Sequence, residues 1–343
     1  MKKPFLIIFS SLLAFIHAIA QPFMAVEEPS DSMLNVVAYF AKNDTMTYVY
    51  STTKYAIADK DTTTSNSYSE EFMLTVRDTL KDGYRLELIP LSFTVKDHIK
   101  NDFTTALTKK IWELTKAVHV VFTTDETGTL KRIENWRKLK DLYKKGLHDG
   151  MDSLYNACPG LDSILPRTRL DSYISMNYAQ EEGIRAEFSQ LQLLFNLHGH
   201  AVPMGITESD DDSQDYPTHT KITAGYGKYD EFGTDDDYNV FASTVTTIPK
   251  EDTKDMVSGV IGMFYQGNVV EEADKLLTGE ANEGITITNL EDYYYFFNGW
   301  PSLMRKQNRT EILNQQRITE ERIEWTERSW QASTEIDDTS SAL

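Results

Sequence analysis

The chain has one cysteine, Cys158, in 343 residues. A single thiol closes no internal disulfide, so the fold has to be held by its own core. Cys158 precedes Pro159-Gly160 at the end of a helical pattern. Reactive thiols need a cationic or helix-N-terminal setting, so a half-buried structural thiol is expected here. Positive charge is also short: 34 lysines and arginines stand against 53 aspartates and glutamates, a net charge of −19. That balance argues against nucleic acid as a partner, and against adsorption to anionic lipid headgroups. After the first 20 residues no run is apolar enough to cross a bilayer, which takes ~20 apolar residues. The usual chemical signatures are missing as well. There is no G-x-S-x-G elbow and no Walker loop, and Gly225-x-Gly227 is too short for a dinucleotide fingerprint. No catalytic residue and no cofactor is assigned.

The start of the chain specifies a compartment. Lys2 and Lys3 precede an apolar stretch from Phe5 to Ile16, and Ala18-Ile19-Ala20 fits a small-x-small cleavage site. Residues 1–20 therefore read as a cleaved secretory signal, and the product is expected to be soluble in the periplasm or outside the cell. Residues 21–31, with two prolines and no hydrophobic period, read as a linker.

Two strand-rich blocks follow, on either side of a helical one. Met46, Tyr48 and Tyr50 share one side of a strand, and Phe72, Leu74 and Val76 alternate with polar residues. The polar stretch between them, 59–67, reads as a loop. Lys81-Asp82-Gly83 is a turn, and Pro90 places its strand at an edge or a bulge. Residues 97–110 read as a long loop or a short helix. From Trp136 the set Leu139, Tyr143, Leu147, Met151 and Leu154 recurs at helical spacing, although Gly146 and Gly150 weaken the pattern. Ile184, Phe188, Leu191 and Phe195 form a second helical set, stopped at His198-Gly199. Residues 202–218 read as irregular and acidic. Further strands are predicted at 238–246, 285–297, 303–312 and 317–328, with Asn298-Gly299 as a hairpin turn and a helix over 251–277.

The expected fold is thus α+β: an antiparallel, strongly curved sheet or half-barrel built from both ends of the chain and packed against a central helical block. Residues 32–330 form one domain, with strands over 34–133, helices over 135–197, and strands plus one helix over 219–330. Residues 331–343 read as a disordered tail.

His198-x-His200 has the spacing of two imidazoles sharing a metal on a strand, but no third or fourth ligand follows at a recognised interval. Asp210-Asp211-Asp212 and Asp235-Asp236-Asp237 lack the alternating ligands and central glycine of a calcium loop. No metal site is assigned. The run Tyr293-Tyr294-Tyr295-Phe296-Phe297, followed by Trp300, is the least ordinary stretch. One of its faces could line an apolar cavity, which nominates Tyr293, Tyr295, Phe297 and Trp300 as ligand-binding residues.

The Tyr-Val-Tyr strand at 48–50, the Thr-Asp-Glu-Thr-Gly turn at 124–128 leading into Ile133-Glu134-Asn135-Trp136, and the export signal resemble those of uncharacterised exported (periplasmic) proteins of Bacteroidota. The resemblance implies an envelope protein with no assigned activity, and no functional residues to carry over. Three functions remain open. The first is non-catalytic binding of an apolar or amphipathic, lipid-like ligand inside a curved sheet. The second is a structural or interaction module meeting an envelope protein through the acidic loops at 209–215 and 230–237. The third is a hydrolase using His198 and His200.

Overall fold

Alternating strands bury one face each only if they pair side by side and something covers that face. A computed structural model shows how this chain does so. It describes residues 33–58, 61–95, 103–212, 216–265, 271, 275, 284–312 and 315–330. The predicted signal, linker and C-terminal tail lie outside those residues.

In chain order the elements are β1 (Met33–Asn35), β2 (Thr45–Ala58), β3 (Asp61–Leu80), β4 (Gly83–Val95), α1 (Phe103–Thr115), β5 (Val120–Thr124) and β6 (Leu130–Ile133). Helices α2 (Trp136–Ala157), α3 (Arg167–Asn177), α4 (Glu181–Ala186) and α5 (Ser189–Phe195) come next. Then follow β7 (Ala201–Pro203), β8 (Gly205–Asp211), β9 (Thr218–Tyr226), β10 (Tyr238–Ile248), α6 (Lys250–Phe264), β11 (Ile285–Tyr295), β12 (Pro301–Ile312) and β13 (Gln315–Ser329). Among the described residues eleven strands form one open antiparallel sheet in the order β6-β5-β4-β3-β2-β13-β12-β11-β10-β9-β8, and β1 pairs with β7 apart from it. The N-terminal and C-terminal strands meet where β2 pairs with β13, Tyr50 lying opposite Ile323. The α+β class and the antiparallel sheet agree with the sequence reading.

The inner face is set by period two. Tyr48, Phe72, Leu74, Val76, Leu86, Leu88, Met304 and Ile323 are all buried in one core with Leu139, Leu191 and Phe195 from the helices. Each such apolar side chain contributes about 1.5–3 kcal/mol by leaving water. Register shifts interrupt several ladders, among them Glu71/Phe72 opposite Pro90 and Tyr294/Tyr295 in β11. Pro90 has no N–H to donate, so the bulge accommodates it; among the described residues its strand pairs beyond Leu88 with β3 alone.

Several sequence readings are corrected. The predicted loop at 59–67 is mostly strand, since β3 pairs with β2 back to Asp61. Its threonines are β-branched, and pairing with β2 outweighs their polarity. The irregular stretch at 202–218 contains β7 and β8. β8 is an edge strand with little burial, so no hydrophobic alternation marks it. Cross-strand pairs Glu208–Lys221 (2.7 Å) and Asp210–His219 (2.8 Å) hold it to β9. Helix α1 occupies much of the ambiguous region, and it explains the two glycines of α2. A Cβ on Gly150 would lie 2.5 Å from Leu107, and one on Gly146 2.9 Å from Ile111. The glycines let the two helices approach closely. Cys158 is exposed rather than half-buried; it follows the last turn of α2, on the solvent side.

Candidate ligand-binding cavity

Extending the alternation of β3 backward from Phe72 puts Glu70 and Tyr68 on the face turned toward the helices. Tyr50, across the β2–β3 ladder from Glu70, points the same way. Helices α1 and α2 and the α4–α5 junction lie over this part of the sheet and leave a cavity of about 160 Å³. That is close to the volume that a benzene molecule fills in an engineered apolar cavity, about 150 Å³, and below the range of drug-sized pockets.

One wall is apolar: Leu88 and Pro90 from β4, Val120 from β5, Ile111 from α1 and Leu139 from α2. Aromatic rings form a second wall. Tyr68 stacks on Phe93 at 5.2 Å, Phe93 stacks on Trp112 at 5.6 Å, and Tyr50 meets Tyr68 edge-on at 6.2 Å. The polar groups gather at one end. Glu70 is 9% exposed; it accepts a hydrogen bond from Trp112 Nε1 at 3.1 Å and a longer one from Gln190 Nε2 at 3.4 Å. Burial pushes its carboxyl up to about 7, against the Trp112 bond, which pulls the other way. Glu187 accepts from the Tyr178 hydroxyl. Burial raises its pKa too, but Glu187 keeps an exposed surface at the cavity rim, so the effect on it is screened more than on Glu70. Tyr50 donates to Glu321 Oε1 at 2.5 Å and shares a 3.0 Å hydrogen bond with Ser189 Oγ. Among the described residues no lysine, arginine or histidine lines the cavity.

The residues nominated from the sequence do not line this cavity. Tyr293, Tyr295 and Trp300 are buried in the core, while Phe297 is 39% exposed on the surface. Trp300 stacks on Phe40 at 4.0 Å, Tyr295 stacks on Tyr238 at 5.1 Å, and Tyr293 donates to Glu291 Oε2 at 2.7 Å. The sequence shows that these rings alternate. Which parts of the sheet face are plugged depends on where the helices land. Glu70 carried a readable signal: a carboxylate at a core-facing position of an alternating strand.

His198 is fully buried among Phe40, Phe195 and Tyr295. Its Nε2 bonds the Gly299 carbonyl at 2.9 Å, and burial depresses its pKa to about 4. His200 contacts the Leu197 carbonyl instead, at 3.3 Å. Among the described residues no group of three or more metal-ligating side chains occurs. In the acidic loop at 230–237, Asp230 and Asp237 are bonded within the fold, while Glu231, Asp235 and Asp236 are exposed. Asp237 accepts from Thr234 and from the Phe297 amide, and Asp230 from Trp325 Nε1 at 2.8 Å. Residues 213–215 of the other acidic loop lie outside the described residues.

No family model and no curated protein matches the chain. Among solved structures, one described as "Lipid-protein interactions in lipovitellin" is similar over 86% of this chain and 26% of its own, at 8% identity and a TM-score of 0.34. The chain spans about a quarter of that structure's length. No helix among the described residues is long and apolar enough to cross a membrane.

Proposed function

We propose that this chain is an exported, non-catalytic binding protein that holds a small amphipathic ligand between a curved, half-barrel-like sheet and the helices over it. The observation that supports this reading is the cavity itself. It combines an apolar wall with a polar end that contains a largely buried carboxyl, Glu70. A packed core has no use for either the volume or the carboxyl, because both cost stability. The volume of about 160 Å³ favours a compact ligand over a long acyl chain. Export rests on the reading of residues 1–20, and the bulges in β3 and β11 support the curvature.

The test is a thermal-unfolding screen against benzene, short alcohols, short carboxylates and short amines. A true ligand at about 100 times its Kd raises stability by about 2.7 kcal/mol. The variant Thr108→Phe, which places a ring in the cavity from α1, should lose the response. If no compound stabilises the protein, or if Thr108→Phe responds as the parent does, the reading fails.

A further inference from the structure

We infer that the polar end of the cavity recognises an organic cation, a small alkylammonium group carried on a short apolar body. This rests on reading the cavity as a ligand site and adds the charge of the ligand.

The first support is uncompensated negative charge. Glu70 from β3 and Glu187 from the α4–α5 junction line the cavity, and no basic side chain among the described residues does. Their hydrogen-bond donors are neutral: an indole and an amide for Glu70, a phenol for Glu187. Glu70 is largely buried, and its ionised form there calls for a cation, while Glu187 is exposed and its charge is screened. The second support is the wall of π faces. The Tyr68–Phe93 pair and the Tyr50 ring stand beside Glu70, while the Trp112 ring at the end of the stack already carries the Lys116 ammonium at 5.1 Å. A cation within about 6 Å of such rings is attracted by their quadrupoles. The third support is Tyr143 of α2. It lines the same cavity and is 8% exposed. Its hydroxyl can accept from an ammonium N–H or exchange a hydrogen bond with a ligand hydroxyl. An anionic ligand would instead meet two carboxyls.

The titratable groups around Glu70 are Tyr50 on β2, Tyr68 on β3, Tyr143 on α2 and Glu187, with Glu321 on β13 bonded to Tyr50. None of these described groups is basic; the cation beyond them is Lys116, whose Nζ lies 5.1 Å from the ring of Trp112, the indole bonded to Glu70. A bound cation favours ionised Glu70, whose carboxyl otherwise titrates at about 7. Binding therefore releases a proton near neutrality, and affinity should rise about tenfold between about pH 6 and pH 8.

The experiment is calorimetric titration of the full chain with choline and with its uncharged isostere 3,3-dimethyl-1-butanol. Choline should bind at least about tenfold more tightly, which corresponds to one strong charge contact. Glu70→Gln keeps the shape of the side chain, and it should reduce the choline-to-alcohol ratio and remove the pH dependence. Tyr143→Phe deletes only a hydroxyl that lines the cavity and should weaken binding several-fold without loss of fold. If the alcohol binds as tightly as choline, the cation is wrong and the cavity reading stands. If Glu70→Gln leaves the choline-to-alcohol ratio unchanged, Glu70 recognition is overturned. If neither compound binds and the wider screen is silent as well, both readings fall together.

Discussion

Glu70→Gln is also a test of the physics, independent of any ligand. Glu70 has an ordinary pKa of 4.5 in the unfolded chain and about 7 in the folded one. The folded protein thus binds more protons than the unfolded chain between those values. The sign follows: this group's contribution is fully present below pH 4.5 and is lost as pH rises through about 7. At about 1.4 kcal/mol per pKa unit, most of the interval falls between about pH 5 and pH 8, so the wild type should lose about 2–3 kcal/mol there from this residue alone. The substituted glutamine carries no charge to desolvate and still accepts from Trp112, so the variant should lack that loss. The assay is urea unfolding of both proteins at several pH values, read as the difference between them, which cancels the other titrating groups. His198 makes the difference necessary. Its pKa falls from 6.5 to about 4, so it lowers stability as pH falls through the same region, with the opposite slope. A difference that stays flat from about pH 5 to pH 8 would refute the claim that Glu70 is desolvated.

Three further outcomes are expected. Gly299 has φ +81°, and a Cβ there would lie 2.2 Å from the Val37 carbonyl oxygen; Gly299→Ala should cost at least about 2 kcal/mol in thermal or urea unfolding. His198→Phe leaves the buried Gly299 carbonyl without its donor, so it should cost about 1–3 kcal/mol at neutral pH while weakening the acid sensitivity between pH 6.5 and about 4. Cys158 is exposed, so a thiol reagent should label the native protein at a rate close to that of the unfolded chain; slow labelling would contradict that exposure.

Much of the sheet could be read from the sequence, because a strand with one buried face writes its period into the chain. Tyr48, Phe72, Leu74 and Ile323 are examples, and so is the turn at Asn298-Gly299. β8 was not legible, since an exposed edge strand has no buried face to encode. Half of the cavity was visible in pieces: Tyr50 on its strand face and Tyr143 on its helix face. That these belong to one site was not visible, because Tyr50 and Tyr143 are joined only by packing. The alternation that turns Glu70 inward says nothing of an open space in front of it.

The sequence by itself determined the α+β class, the acidic charge, the absence of a disulfide and the faces on which the apolar residues fall, for these depend on composition and local period. Only the tertiary structure decided which aromatics are core and which line a space. Tyr293, Tyr295 and Trp300 are core because Asn196, His198 and Phe40 pack onto them. The tyrosines at 50 and 68 keep a cavity because α1 and α2 cross the sheet there, with α1 closing tightly on the glycines of α2. Distance between elements is a property of the packing, and no local pattern carries it.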